Sequence, residues 1–401
     1  MTNRGAPALQ RALELTRELV RLPTVSRESN HAATSYLEEW MSAHSFETEI
    51  LTYHDPRGVL KSSIVGRREP GRKSNAGSGG LAYFCHTDVV PADGWVGAGV
   101  ASTSGGSGAD PFEPVLVSDR LYGRGACDMK GSTATFMAAV EQIATTDQIA
   151  PISLIATADE EVGFYGAADV AARSRLYRQL VAEGAAGIIG EPTELRVVHA
   201  HKGMYVLRAT SIGKAAHSST REGLNANLAM IDFLGEMKRI HEETLVDPEW
   251  LDERFDPPWI SWNIGINDHT HVVNMTPAKS VCTVSFRPMP GQAPEALVAR
   301  VAEIAGKCGI EQEVVRRGQP LFVEPQSAFV RSICELAECE SSESVSYGTD
   351  GTMFTDLAQL VVLGPGSIRQ AHTVDEFITL EQLDSGTRLY ERLLRHHTTQ
   401  T

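Results

Sequence analysis

The hydrophobic positions of this chain change period several times, and the changes mark its elements. Between residues 8 and 21, Leu9, Leu13, Leu19 and Val20 recur at helical spacing, and Pro23 closes the segment. Asn30 reads as the N-cap of a second helix that turns Leu37, Trp40 and Met41 inward. Strand patterns follow at Glu47 to Leu51, Val59 to Val65 and Leu81 to Cys85. The glycine-punctuated stretch Leu121 to Gly131 opens a helix through Phe136, Met137 and Val140, whose N-terminal partial charge suits the carboxylate of Asp128. Next come a strand at Ile152 to Thr157, a helix across Ala167 to Leu180 and a strand at Ile188-Ile189. Such alternation predicts an α/β sheet flanked by helices.

Past His201 the order changes. A strand at Met204 to Ile212, a helix at Ala226 to Thr244, strands at Ile260 to Ile266 and Ser280 to Arg287, a helix at Ala293 to Cys308 and a strand at Glu311 to Arg316 make βαββαβ. This is the ferredoxin-like arrangement. The first pattern then returns, with Ala328 to Leu336, Leu360 to Leu363 and a last amphipathic helix from Leu380 to about Leu394. Residues 203–317 are therefore expected to be inserted into a domain built from 1–202 and 318–401. Two domains also suit a length of 401 residues.

Composition removes some functions. A formal net charge of -15, from 36 basic and 51 acidic residues, argues against nucleic acid or an anionic membrane as partner. No segment has the apolar core of a signal peptide or the length of a bilayer span, so a cytoplasmic location is the default expectation. The six cysteines form no Cys-x-x-Cys pair and are expected to be reduced and unpaired. Gly66 to Ser74 resembles a phosphate loop, but Arg72 replaces its lysine and no strand-to-helix context surrounds it. It reads as a solvated loop, and the Gly/Ser-rich stretch 94–109 as a surface loop.

Chemistry collects where strands end. The run Ile155 to Thr157 stops on Asp159-Glu160-Glu161, and both glutamates can serve one site only if the chain turns there. Alone, the trio reads first as a solvated acid cluster. Strand Leu81 to Cys85 ends in His86-Thr87-Asp88, whose i, i+2 spacing lets a carboxylate orient an imidazole, although a structural pair would look the same. Asp128, Glu191 and His372 also follow strands or glycine-rich turns. Two imidazoles and three carboxylates without a thiolate suit zinc, cobalt or manganese. Five ligands exceed one open zinc site, but with Asp128 shared they divide into two sets of three.

The stretches Cys85 to Pro91, Tyr122 to Gly131, Ala158 to Glu161, Ile189 to Thr193 and Gly364 to Gly366 with Ala371-His372 resemble the acetylornithine deacetylase and succinyl-diaminopimelate desuccinylase family. The match runs in family order over almost the whole chain. It implies a zinc-exopeptidase-like catalytic domain with an inserted ferredoxin-like lid and dimerisation domain, and two divalent cations, zinc first, with cobalt or manganese as alternatives. The resemblance assigns His86, Asp128 and Glu191 to one cation and Asp128, Glu161 and His372 to the other. It makes Asp88 the partner of His86, Glu160 the general acid/base, and His217 in Gly213 to Ser219 the donor to an oxyanion. A cis peptide at Asp128-Met129 is also implied. Asn274 and Arg287 would hold a substrate carboxylate, with Thr349 and Gly351 in a loop beside the pocket. His199 and His201 read as hinge packing, and His269 and His271 as a solvated turn.

The implied activity is removal of an acyl group from an N-acyl-L-amino acid by a homodimer, N2-acetyl-L-ornithine first. Desuccinylase, dipeptidase and carboxypeptidase activities are the alternatives. Tyr347 to Phe354 departs from the usual deacetylase loop at Asp350 and Gly351, which leaves the amino-acid side chain open. A serine hydrolase would need a Gly-x-Ser-x-Gly elbow that is absent. A noncatalytic binding protein on this scaffold should have lost a ligand or the base, and none is missing.

Overall fold

The computed structural model describes residues 5–71, 79–99, 110–269 and 272–399, so part of the 94–109 stretch, residues 72–74 of the phosphate-loop resemblance, and His271 lie outside the described residues. The chain divides into two compact units. One comprises Met1–His199, Val323–Glu343 and Thr349–Thr401, the other Ala200–Phe322 and Ser344–Gly348.

The first unit is built on a mixed sheet. Leu81–His86, Ile152–Thr157, Ala186–Ile189 and Leu360–Val362 run parallel, and Leu60–Arg68 with Glu47–His54 extends the sheet antiparallel at one edge. The inner strands are buried at every position, as parallel strands covered on both faces must be, and so read as continuous apolar runs. The outermost strand, Glu47–His54, buries only Leu51. Parallel pairing of His86 with Thr157 and of Phe84 with Ile189 brings the carboxyl ends of three strands together. Those ends are where His86, the acid trio and Glu191 emerge.

Helix Gly131–Glu141 carries only small, hydroxyl and apolar side chains before Glu141, which fits its burial from Gly131 to Val140. Phe136 stacks on Tyr83 at 4.2 Å, and Tyr390 of the Leu380–Thr398 helix meets both rings edge-on. The Tyr390 hydroxyl donates to the Leu363 carbonyl at 2.9 Å, so the core also fixes the start of the loop that carries His372.

The second unit is a four-stranded antiparallel sheet in the order Ser261–Asn267, Lys279–Arg287, Met204–Ile212, Glu311–Gly318, with helices Ala226–Thr244 and Pro294–Lys307. Burial along Met204–Ile212 largely alternates, the mark of a sheet with one covered face. Tyr205, Leu207, Phe233, Met237, Phe286 and Val301 form its core.

Two local expectations needed correction. Asn30 precedes its helix, but its side chain makes no cap: Oδ1 accepts from Ser62 N at 2.9 Å, and Nδ2 donates to Ser62 O and Thr87 Oγ1. Cross-linking two segments outcompetes capping here. The single helix expected at Ala167 to Leu180 is two, Tyr165–Arg173 and Arg175–Ala182, because Ser174 is extended and caps the second through Tyr177 N. A small sheet of Val115–Val117, Arg120–Tyr122 and Phe377–Thr379 was not foreseen. Its strands have three residues each, too short for a period to show.

Candidate metal centre

His86 and His372 approach Asp128 from opposite sides. His86 Nε2 lies 3.0 Å from Asp128 Oδ1 and 3.7 Å from Glu191 Oε1. His372 Nε2 lies 3.4 Å from Asp128 Oδ2 and 3.0 Å from Glu161 Oε2. One carboxylate thus offers an oxygen to each of two imidazole–carboxylate sets. His86, Asp128, Glu161 and Glu191 are nearly inaccessible, whereas the His372 side chain is 54 % exposed. The ligand atoms of His86, Asp128 and Glu161 all fall within 4.8 Å of one another.

The electrostatics show a surplus of negative charge. Burial, then the charge of Asp128, raises the pKa of Glu161. Glu191 is raised well above the carboxylate range by the same two causes in the same order. Burial also raises Glu160 strongly, helped by Glu191, Glu161 and Asp350 against the counter-effect of His86. Burial opposes a charged His86, yet Asp128, Glu191 and Glu160 outweigh it and raise that group well above its ordinary value. Hydrogen bonds to Asp128 and Glu161 push His372 up to about 10. The imidazoles are being recruited as cations because no Lys or Arg pairs with Glu160, Glu161 or Glu191 among the described residues. Divalent cations would supply the missing charge, and this nitrogen and oxygen donor set fits them. Cys127 is no competing ligand, since its thiol points to Ser367 O at 3.3 Å.

Bracing of these groups differs from the sequence expectation. His86 Nδ1 meets the backbone carbonyl of Asp88 at 2.9 Å, and the Asp88 carboxylate is 3.8 Å from that nitrogen. That carboxylate accepts instead from Ser26 Oγ at 2.7 Å, Glu160 N at 3.1 Å and Glu161 N at 3.4 Å. Asp88 therefore holds the acid turn, while its own backbone orients the ring. The turn that carries Asp128 opens at Gly125, whose φ of +83° is one that glycine adopts without strain. The Asp128-Met129 peptide is cis. The anion at this turn is Glu376 and not Asp128: it accepts from Gly125 N at 3.0 Å, Cys127 N at 2.8 Å, Asp128 N at 3.0 Å and Arg124 at 2.7 Å. Pairing of Phe377 with Tyr122 in the small sheet delivers it there.

Asp159, without a role in the sequence reading, anchors the acid turn from below. It is buried at φ +57° and binds Lys61 Nζ at 2.8 Å and Tyr53 Oη at 2.7 Å. Lys61 also donates to the carbonyls of Ser26 and Glu28. The signal available was Lys61 itself, the one charged residue of the strand pattern Val59 to Val65. Thr349 and Gly351 are buried, and the Thr349 hydroxyl accepts from Gly351 N at 3.0 Å. Their neighbour Asp350, which accepts from the Thr157 hydroxyl, is the loop residue whose charge reaches Glu160 and Glu191.

In the second unit His217 is exposed, with Nδ1 2.7 Å from Ser219 Oγ. Ser218 N donates to Asn274 O at 2.9 Å, and a bridge joins His217 to Met275, so His217 and Asn274 share one surface. Arg287 ends its strand close enough to His201 and Lys202 for its charge to lower both pKa values, after the larger effect of burial.

The chain matches the model of peptidase family M20/M25/M40 over residues 82–396. It is 33% identical over 407 residues, 97% of both chains, to an acetylornithine deacetylase of Myxococcus xanthus. Among solved structures it resembles an M20 family metallo-carboxypeptidase of Sulfolobus solfataricus, at TM-score 0.71 and 16% identity over 96% of this chain and 98% of that one. A di-peptidase of Saccharomyces cerevisiae matches at TM-score 0.70 and 15% identity over 99% of each. The structural likenesses speak for the fold alone; the family match and the sequence identity establish that this chain belongs to peptidase family M20/M25/M40 and is a metal-dependent amide hydrolase.

Proposed function

We propose that the enzyme removes the acyl group from an N-acyl-L-amino acid, with N2-acetyl-L-ornithine as first substrate. The observation behind the site assignment is the shared Asp128, with one oxygen toward His86 and the other toward His372. On this reading His86, Asp128 and Glu191 hold one divalent cation and Asp128, Glu161 and His372 the other, zinc being the first choice. Cations so held polarise an amide carbonyl and acidify water.

The remaining work falls to the chain. A ligand has its lone pairs committed, whereas a proton shuttle must keep them free, and among the described residues no donor meets the Glu160 carboxylate. Glu160 takes the proton of the attacking water and returns it to the leaving amine. The family resemblance makes His217 the donor to the developing oxyanion, and Asn274 and Arg287 the holders of the substrate carboxylate, for which a forked guanidinium is suited. Lid, homodimer and cytoplasmic setting belong to the same reading and rest on the family resemblance.

The choice of acetylornithine rests on relatives of that name at 28% to 33% identity. The test is to load the protein with zinc or cobalt and offer N-acetylornithine, other N-acetyl amino acids, N-succinyl-diaminopimelate and dipeptides. Release of ornithine above the rest supports the reading. Preference for a dipeptide or another acyl amino acid overturns the substrate, and no amine from any of them defeats the deacylase assignment.

A further inference from the structure

Helix Ala328–Leu336 ends in a closed turn that pairs two cysteines. Glu338 N donates to Glu335 O at 3.2 Å and Cys339 N to Cys334 O at 3.0 Å, with Glu338 at φ +58°. This is a Schellman motif, in which the third residue from the helix end and the second residue beyond the cap put their side chains in contact. Those two positions are Cys334 and Cys339. The first is 8 % exposed in the main core, the second half-buried and packed against the same cluster, and the Cys339 thiol is near enough to act on the pKa of Cys334. The backbone hydrogen bond draws the two Cα atoms toward the roughly 4.4–6.8 Å that disulfides span.

We propose that Cys334 and Cys339 are a reversible disulfide site, oxidised by low-molecular-weight disulfides such as oxidised glutathione. The more accessible Cys339 reacts first, as thiolate, with one sulfur of glutathione disulfide, and one glutathione thiolate leaves. The Cys334 thiolate then attacks Cys339 sulfur, the protein disulfide forms, and the second glutathione leaves. Two protein thiols are oxidised, one glutathione disulfide is reduced, and the two protons end on the released glutathiones. Burial and then Cys339 push the Cys334 thiol up to about 12, so this core thiol is a poor first nucleophile, and its attack is left to the intramolecular second step. Cys308, half-buried and without a thiol beside it among the described residues, is the internal control for simple adduct formation.

The experiment treats the full-length protein with oxidised glutathione, alkylates it in denaturant and maps the peptides by mass. Trypsin leaves both thiols in one peptide, since no Lys or Arg lies between Arg331 and Arg369, and cleavage after Glu335 or Glu338 separates them. The expected result is loss of two hydrogens, no alkylation of either thiol, and fragments that stay joined until reduced. In Cys339→Ser, which spares the core thiol, the link disappears and Cys334 remains alkylatable. Alkylation of both thiols after treatment overturns the proposal, as does a persistent glutathione adduct on Cys339 beside a free Cys334. A cross-link of Cys334 that survives in Cys339→Ser also overturns it.

Discussion

Replacing Lys61 by Met asks whether the acid turn depends on one buried charge. The Lys61 and Asp159 side chains are 1% and 2% exposed and 2.8 Å apart. At an effective dielectric constant of about 20, charges at that separation attract by about 6 kcal/mol before desolvation is counted. The net consequence of removing one partner is smaller, about 3–5 kcal/mol, because it leaves the other charge buried and uncompensated. Lys61→Met also strips the ammonium donor from the Ser26 and Glu28 carbonyls, which puts the expected loss at the upper end of that range. Against a typical total of about 5–15 kcal/mol this is large.

Urea unfolding followed by tryptophan fluorescence, at neutral pH and fixed metal content, measures the loss. The unit that holds the pair contains Trp40 in its core. Adding Asp159→Asn to Lys61→Met should recover much of the stability, since a neutral amide no longer needs the ammonium, and the two changes should couple by up to about 3 kcal/mol. Turnover should fall in the single variant, because Asp159 O accepts Phe164 N at 2.9 Å and so closes the turn on which Glu160 rides. A cost for Lys61→Met below about 1 kcal/mol, the range of exposed ion pairs, would refute the reasoning. Strict additivity of the two substitutions would refute it too.

Glu160→Gln should lower kcat by about 10²- to 10⁴-fold with metal content unchanged, as read by amine release and elemental analysis; loss of metal instead would make Glu160 a ligand. Glu376→Gln turns one acceptor of the Asp128 turn into a donor facing backbone N–H groups, and should weaken metal retention by about 10- to 100-fold in a chelator competition. Acid should destabilise the second unit through His201, whose pKa burial lowers to about 4. The unfolded imidazole takes up its proton near pH 6.5 and the folded one only near 4. Stability that is full above about pH 6.5 is therefore lost as pH falls toward 4, by about 3 kcal/mol. Urea midpoints at several pH values check this, and His201→Asn should flatten the slope.

Much of the architecture was legible because long elements carry their period openly. Met204–Ile212 and Ala226–Thr244 occupy the residues the pattern predicts. The site candidates stand at strand ends and the loops after them, but spacing alone left solvated or structural readings open, and it was the resemblance of whole motifs that assigned their roles. What stayed hidden is long-range. Glu376 meets Asp128 N across 248 residues, and Asn30 meets Ser62 and Thr87 across 32 and 57. No local period encodes such pairings. The Asp88 result shows a subtler limit, since i, i+2 spacing put the right residue beside His86 but could not say whether backbone or carboxylate faces the ring.

The acids around the centre sort by who fills their oxygens. Asp88, Asp159 and Glu376 accept hydrogen bonds from backbone amides, hydroxyls or Arg124, or pair ionically with Lys61, and each braces a segment that carries a ligand or the base. Asp128, Glu161 and Glu191 face imidazole nitrogens, and Glu160 faces no donor among the described residues. A buried carboxylate costs several kcal/mol unless paired. The second group is therefore tolerable only if something else brings positive charge or a proton. The division also explains how adjacent residues part ways. Asp159, at φ +57°, turns back into the core toward Lys61, while Glu160 and Glu161, held by their amides to Asp88, are left with their carboxylates for chemistry.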